Sequence, residues 1–390
     1  KQAHMMETTR ITRQNPPDSP AAQIRARALE LGFEAVGFSP ARLGHEVGGA
    51  LRTFLEKGYH GDMGWLADRA DQRVSPEALW GEAVSAVVVG MNYGPDHDPR
   101  ANLAASACGN ISVYARNRDY HDVLKKKLRV LARWMGETFG TKVKLFVDTA
   151  PIMEKPLAQQ AGIGWRGKHT NLVSRRFGSW LFLGEILTTL TLAPDLPETD
   201  HCGTCSRCLD VCPTRAIVAP YRVDARRCIS YHTIELQGSI PLEFRRAMGN
   251  RIYGCDDCQL VCPWNRFARP AAEPDFRVRH GLDAPDLIAL FGWEEPDFLR
   301  HTEGSAIRRI GHERWLRNLA VALGNAPPSA RAVDALQARA AHPSAVVAEH
   351  VAWALDEQAE KRDRRARGDP VQTPVLDGAG AADRRLSPPR

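Results

Sequence analysis

The chain has 390 residues, 43% hydrophobic and 25% charged, a balance that supports a real buried core and a length beyond that of a small electron carrier. No apolar run approaches the ~18 residues that a membrane span needs, and a net charge of +6 favours an anionic partner only mildly. Nine cysteines without an export signal predict a reducing compartment, the cytoplasm, where thiols bind metal or do chemistry more often than they pair.

In chain order, residues 1–20 read as a tag remnant ahead of the fold, with Met5 or Met6 as the start. Residues 21–195 mix helical and strand periods and predict an α/β domain. Within it, "AAQIRARALELGFEAVGF" reads as an amphipathic helix leading into a short strand and "AVSAVVVGMNY" as a buried strand. "HDVLKKKLRVLARWMGETFG" then reads as a long helix, and "KVKLFVDTAP" as a strand ending in a loop. A Pro- and Asp-rich connector, "LAPDLPETDH", leads into a cysteine-rich segment over 196–275. Residues 276–360 are amphipathic helices separated by Gly, Asn and Pro, read either as a HEAT-like stack or as an ordinary bundle. Residues 361–390, rich in charge, Gly and Pro, predict disorder. The fold class is therefore α+β with several domains.

"HCGTCSRCLDVCPTRAI" places Cys202, Cys205, Cys208 and Cys212 in a C-x2-C-x2-C-x3-C-P run. In bacterial ferredoxins such a run gives three thiolates to one [4Fe–4S] cluster and the fourth to another. "GCDDCQLVCPWN" repeats the pattern with Cys255, Cys258 and Cys262, and Cys228 supplies the missing ligand. Exchange of the fourth ligands gives one cluster Cys202, Cys205, Cys208 and Cys262, and the other Cys228, Cys255, Cys258 and Cys212. A pair of zinc sites is the alternative, since C-x2-C also makes zinc knuckles. Cys108 is left over and reads as a small packed residue. No dinucleotide fingerprint follows a predicted strand. "GIGWRGKH" lacks phosphate-loop spacing, and its glycines are expected to let backbone approach a flat ligand.

The motifs "VDTAPIMEKPLAQQAGIGWRGKHTNLV", "DARRCISYHTIEL", "MGNRIYGCDDCQLVCPWN" and "EGSAIRRIGHERWLRNLAVALGNAP" resemble the epoxyqueuosine reductase family, from about Ala21 to Glu360. The resemblance implies a cobalamin-binding domain, a ferredoxin-like two-cluster module and C-terminal HEAT-like helices. It implies reduction of epoxyqueuosine to queuosine at the wobble position of a tRNA anticodon, the last step of queuosine biosynthesis. The implied partners are that tRNA and an external one-electron donor such as a flavodoxin or ferredoxin, and the protein is expected to act as a monomer away from membranes. The D-x-H-x-x-G pattern that gives cobalt a histidine in other cobalamin proteins is absent, since "DYHDVL" has Leu124 in place of Gly.

By position in the matching motifs, Asp148 falls on the family's proton donor, and its plain alternative is a turn former after a strand. Leu172, Leu183, Ser230, Asp256 and, through its backbone, Asp68 fall on cobalamin contacts. For RNA, Arg116, Arg118, Tyr120 and His121 alternate charge with rings suited to phosphate and base. Arg308, Arg309, Arg314 and Arg317 recur near helical spacing and offer either a basic face to the tRNA backbone or a solvated helix surface. Two competing functions are a reductive dehalogenase acting on a small molecule and an iron–sulfur carrier that binds RNA without chemistry of its own.

Overall fold

The computed structural model describes residue 16 and residues 18–368; the expected tag remnant up to residue 15 and the tail beyond 368 lie outside the described residues. Helix α1 (Pro20–Glu30) starts where Ser19 accepts a hydrogen bond from the Ala22 N–H and proline occupies the first turn, where its missing donor costs nothing. Strands β1 (Ala35–Pro40) and β2 (Ser85–Asn92) follow, then helix α2 (Tyr120–Phe139), capped by Asp119 and ended by left-handed Gly140 at φ 63°. Strand β3 (Val143–Phe146), the short helix α3 (Glu154–Gln160) and strand β4 (Leu181–Thr188) complete the sheet layer.

The sheet order is β1-β2-β4-β3, antiparallel throughout. Strands β2 and β4 are buried at every residue because both faces are covered. Val87, Val89 and Ile186 pack against Ile24, Ala28, Leu124 and Leu128 of α1 and α2. On the opposite face, Ala86, Val88, Leu183 and Leu187 pack against Leu157 and Ala158 of α3. A sheet covered on both faces explains why "AVVVGM" reads as an unbroken apolar run rather than an alternating one.

In the cysteine segment the x2 spacings fall on short helical turns, Arg207–Asp210 and Asp257–Leu260, and strand Arg251–Tyr253 pairs in parallel with Asn110–Ile111 of the preceding region. The C-terminal helices, chiefly α4 (Gly311–Asn325) and α5 (Ala345–Ala366), build one core that also takes in Ile111, Ala115, Ile252 and Tyr253. Among the described residues no helix is long and apolar enough to cross a membrane.

Two expectations change. Helix α5 runs six residues into the stretch expected to be disordered, because Lys361 Nζ bonds the Gly324 and Ala326 carbonyls and Glu360 pairs with Arg246 and Arg364. The glycines of "GIGWRGKH" meet protein backbone, not open space for a flat ligand: a Cβ on Gly164 would lie 2.3 Å from the Val173 carbonyl oxygen, and one on Gly162 2.6 Å from that of Leu196. Cys108 is partly buried and bridges to Asp286 in an isolated backbone pairing.

Leu128 is fully buried between α2 and the sheet, against Gly184, where an added Cβ would already come within 2.8 Å of its Cδ1. Leu128→Ala is expected to cost about 2–5 kcal/mol, read as a lower denaturant midpoint; a loss below about 1 kcal/mol would show that this layer is loosely packed.

Candidate active site

Strand β3 leads through Val147 into Asp148, which adopts φ 48°, a left-handed conformation that a non-glycine residue rarely holds without support. The support is explicit. The Tyr120 hydroxyl donates to Asp148 Oδ2 at 2.5 Å, His121 Nε2 lies 3.8 Å from the same oxygen, and the Asp148 N–H donates to Glu154 Oε1 at 2.5 Å. Tyr120 is itself fixed by its ring, stacked on Phe182 with centroids 4.2 Å apart and planes 2° from parallel. His121 Nδ1 sits 2.8 Å from Asp119 and 2.9 Å from an Arg309 guanidinium nitrogen, and Arg309 also pairs with Asp119. The Asp148 side chain is 60% exposed, open to whatever enters the cleft.

Behind Asp148 lies a pair of carboxyl groups. Glu185, in the middle of β4, is completely buried, and neither of its oxygens receives a hydrogen bond from a donor in the fold. Its neighbour is Glu154, whose own carboxyl is within hydrogen-bonding reach. Burial pushes Glu154 up to about 8, reinforced by the charge of Asp148, and burial together with Glu154 pushes Glu185 well above the usual carboxylate range. Lys155, the next residue, is partly buried and donates to Asn171 Oδ1 at 3.3 Å. Burial lowers its pKa, while the charges around it are those of Asp148, Glu154, Arg166 and Cys258. Lys155 therefore stands between the carboxyl cluster and the cysteine segment.

The cysteines fall into two neighbourhoods. Burial pushes the Cys208 thiol up to about 11, with Cys202 and Cys205 adding to the shift, and the Cys262 thiol to about 12, with Cys202, Cys208 and Cys205 as its sulfur neighbours. Cys258 is pushed well up by burial with Cys228 and Cys212 beside it, and Cys255 by burial with Cys228 and Cys258 beside it. Thus Cys262 is brought to the first run and Cys212 to the second. Bare thiolates at these buried positions are costly, and bound iron would supply the compensating positive charge. Trp165 fits the same picture, since its buried indole N–H has no oxygen acceptor and faces the Cys202 sulfur. Lys168 Nζ ties the first run by bonding the Gly203 and Cys205 carbonyls at 2.6 and 2.9 Å. Among the described residues no three His, Cys, Asp or Glu side chains converge closely enough for a single metal ion; a four-iron cube holds its thiolates farther apart.

The other expected site residues are placed differently from one another. Leu172 and Leu183 lie in one buried apolar cluster, so their side chains are committed to packing. Ser230 is partly buried at the start of helix Ile229–Ile234, and Asp68 is exposed at the end of the short helix Trp65–Asp68. Asp256 is buried, and its carboxylate accepts from Ser112 Oγ at 2.6 Å and the Val113 N–H at 2.7 Å, which leaves its backbone for any other contact.

The RNA expectations need correction. Arg116 is buried and donates to the Ile111 carbonyl at 2.7 Å, and Arg317, with no exposed surface, donates to the carbonyls of His232, Leu236 and Gly238. Neither can reach a phosphate, because each guanidinium saturates carbonyls that burial would otherwise leave unpaired. Arg314 is likewise bound to the Ile234, Arg309 and Ile310 carbonyls. Tyr120, His121 and Arg309 serve the Asp148 network. Arg118 and Arg308 remain exposed, the first 3.6 Å from Asp275 and the second bonded to the Leu299 carbonyl.

Sequence reading missed Glu154 and Glu185. The available signal for Glu185 was a lone acid in the middle of "LFLGEILT", an otherwise apolar strand.

Comparison with known proteins bears on this arrangement. A family model described as "Epoxyqueuosine reductase QueG, DUF1730" matches residues 73–149, and one described as "4Fe-4S double cluster binding domain" matches residues 201–265. The epoxyqueuosine reductase of Xanthomonas campestris is 50% identical over 348 residues, 88% of this chain and 98% of that protein. The chain belongs to the epoxyqueuosine reductase family. Two solved structures of the family, each 28% identical, cover 90% of this chain and 94% of theirs. One, with TM-score 0.79, is described with an epoxyqueuosine-modified tRNA stem loop; the other, from Bacillus subtilis with TM-score 0.77, has its aspartate-bearing catalytic loop swung out of the active site.

The two thiol neighbourhoods make a checkable prediction for a two-cluster protein of this family. After anaerobic reconstitution, Cys212→Ala and Cys255→Ala should perturb the same cluster signal in electron paramagnetic resonance, and Cys262→Ala the other. If Cys212→Ala instead perturbs the signal lost with Cys205→Ala, the fourth ligands are not exchanged.

Proposed function

We propose that this chain reduces epoxyqueuosine in a tRNA anticodon to queuosine, with cobalamin held over Asp148 and electrons delivered through two [4Fe–4S] clusters. The observation that carries this reading is Asp148 on its held turn, with Cys258 of the second thiol set across Lys155 from it. Family membership supplies the substrate class, since the tRNA stem loop of a solved relative carries the epoxide.

The residues fit a corrinoid. Glu154 and Lys155 keep part of their surface open to solvent beside the exposed Asp148 side chain, while burial raises the pKa of the first and lowers that of the second. Asp148, Ser230 and the backbones of Leu172, Leu183, Asp256 and Asp68 would hold the cofactor. Cobalamin, when bound, supplies a strongly reducing cobalt nucleophile suited to opening a strained ring.

The chain's own residues do the rest. Cleavage of the epoxide C–O bond leaves an oxygen of high proton affinity, and Asp148 is the acid placed to protonate it, worth roughly 10²–10⁴ in rate. Tyr120 and His121 orient its Oδ2. A second proton and two electrons complete departure of that oxygen as water and leave the alkene. The electrons come singly, and exposed Arg207, Arg215 and Arg222 on the cysteine segment suit an acidic one-electron donor such as a flavodoxin or ferredoxin. A monomer acting in the cytoplasm meets these needs.

Asp148→Asn is expected to lower conversion of an epoxyqueuosine stem loop by about 10²–10⁴, read by nucleoside mass spectrometry, with cobalamin binding retained. Wild-type conversion would remove Asp148 from the acid role. For RNA, Arg308→Ala should flatten the log–log salt dependence of stem-loop binding by roughly 0.7–0.9, while Arg317→Ala should lower the denaturant midpoint instead. A flattened salt slope in a fully stable Arg317→Ala protein would contradict the structural role given to Arg317.

A further inference from the structure

The carboxyl pair behind Asp148 is unexplained by acid catalysis at Asp148 alone. Glu185 is flanked in the sheet by Val88 of β2 and Phe146 of β3, both apolar, so nothing in the layer solvates it. A buried carboxyl without a donor is among the costlier features a fold can retain. Two carboxylates offer only acceptors to each other, so they can stay in contact only with a proton between them. Glu154 in turn accepts from the Asp148 N–H and so holds the left-handed turn.

We propose that Glu154 and Glu185 share a proton and form a latch that positions Asp148, with Glu185 holding Glu154 and Glu154 holding the turn. Both are positioning residues, and the inference rests on the function proposed above only for its activity readout. Asp148 carries the acid chemistry while the pair fixes where its carboxyl points.

The latch is sensitive to pH in one direction. Burial raises both carboxyls, so the pair keeps its shared proton at neutral pH and the latch is closed; once the pH is alkaline enough to remove that proton, two like charges in an apolar layer repel. The groups facing the pair are Asp148 at the end of β3, Lys155 on α3 and Tyr120 on α2, with His121 of α2 beside the Asp148 carboxyl. Arg73, on helix Ala70–Arg73, also feels the Asp148 carboxyl. Lys155 is the cation nearest the pair, and it favours ionisation, so the basic limb should shift upward when Lys155 is neutralised.

Two readouts on the full-length, cluster-loaded, cobalamin-bound protein test this. The first is amide hydrogen exchange, corrected for intrinsic rate, in the peptide spanning residues 147–153. The second is the pH profile of single-turnover stem-loop reduction. E154A should raise exchange and lower the rate at pH 7, each by about tenfold, the scale of one buried hydrogen bond. E154Q keeps an oxygen for the Asp148 N–H and offers Glu185 a permanent N–H donor, so it should restore both at pH 7 and remove the fall in rate that the wild type shows on its alkaline limb. E185Q, which donates to Glu154 at any pH, should flatten the same limb. Wild-type exchange and rate in E154A, or an unchanged basic limb in both glutamine variants, would overturn the latch. Exchange reads the latch even in a protein with no epoxyqueuosine turnover, and normal turnover with unaltered exchange in E154A would discard the latch while leaving the function standing.

Discussion

The arrangement of the molecule depends on two adjacent side chains of α4. Arg317, fully buried, draws together the carbonyls of His232, Leu236 and Gly238, and Asn318, also fully buried, those of Thr233 and Ile252. These carbonyls flank Cys228 on one side and Cys255 on the other, so the C-terminal helices fix two stretches that feed the second thiol set. Burial lowers the Arg317 pKa to about 10, a cost offset by the three carbonyls that its guanidinium bonds at once.

From that fixed point the site assembles outward. The second thiol set is held against Lys155, Lys155 against Glu154, and Glu154 against the turn that presents Asp148. The sheet contributes rigidity from the other direction, because β3 ends at Asp148 and β4 carries both Glu185 and the Phe182 ring that stacks on Tyr120. In the acid role proposed for it, Asp148 would be oriented by three contacts before proton transfer, the condition under which a positioned acid is most effective. The two thiol neighbourhoods lie at the far end of the same path, with Cys262 and Cys212 each brought across to the other run.

Much of this was legible in the chain. The spacing of Cys202, Cys205 and Cys208 carries its chemistry locally, because three of a cluster's four thiolates come from one short run. Helix α2 and strand β2 announced themselves by period, and the structure adds Asp119 and Gly140 at the helix ends. The arginines were not legible, since a helical repeat of Arg308, Arg314 and Arg317 looks alike whether it faces phosphate or buried carbonyls; only the tertiary fold decides. Tyr120 and His121 carry a second connection invisible in sequence, since a ring beside a charge suits base stacking but here Tyr120 also stacks on Phe182 and both reach Asp148. Glu185 escaped because a single acid in an apolar strand acquires meaning only when its partner, thirty-one residues earlier at Glu154, folds onto it.

The most direct measurement is nucleoside mass spectrometry of an epoxyqueuosine-containing anticodon stem loop incubated anaerobically with the cluster-loaded protein and a low-potential one-electron donor, with and without cobalamin. Loss of one oxygen from the nucleoside only when cobalamin is present is the predicted result. Conversion that proceeds equally without cobalamin, or no conversion by protein that holds both clusters and the corrinoid, would contradict it.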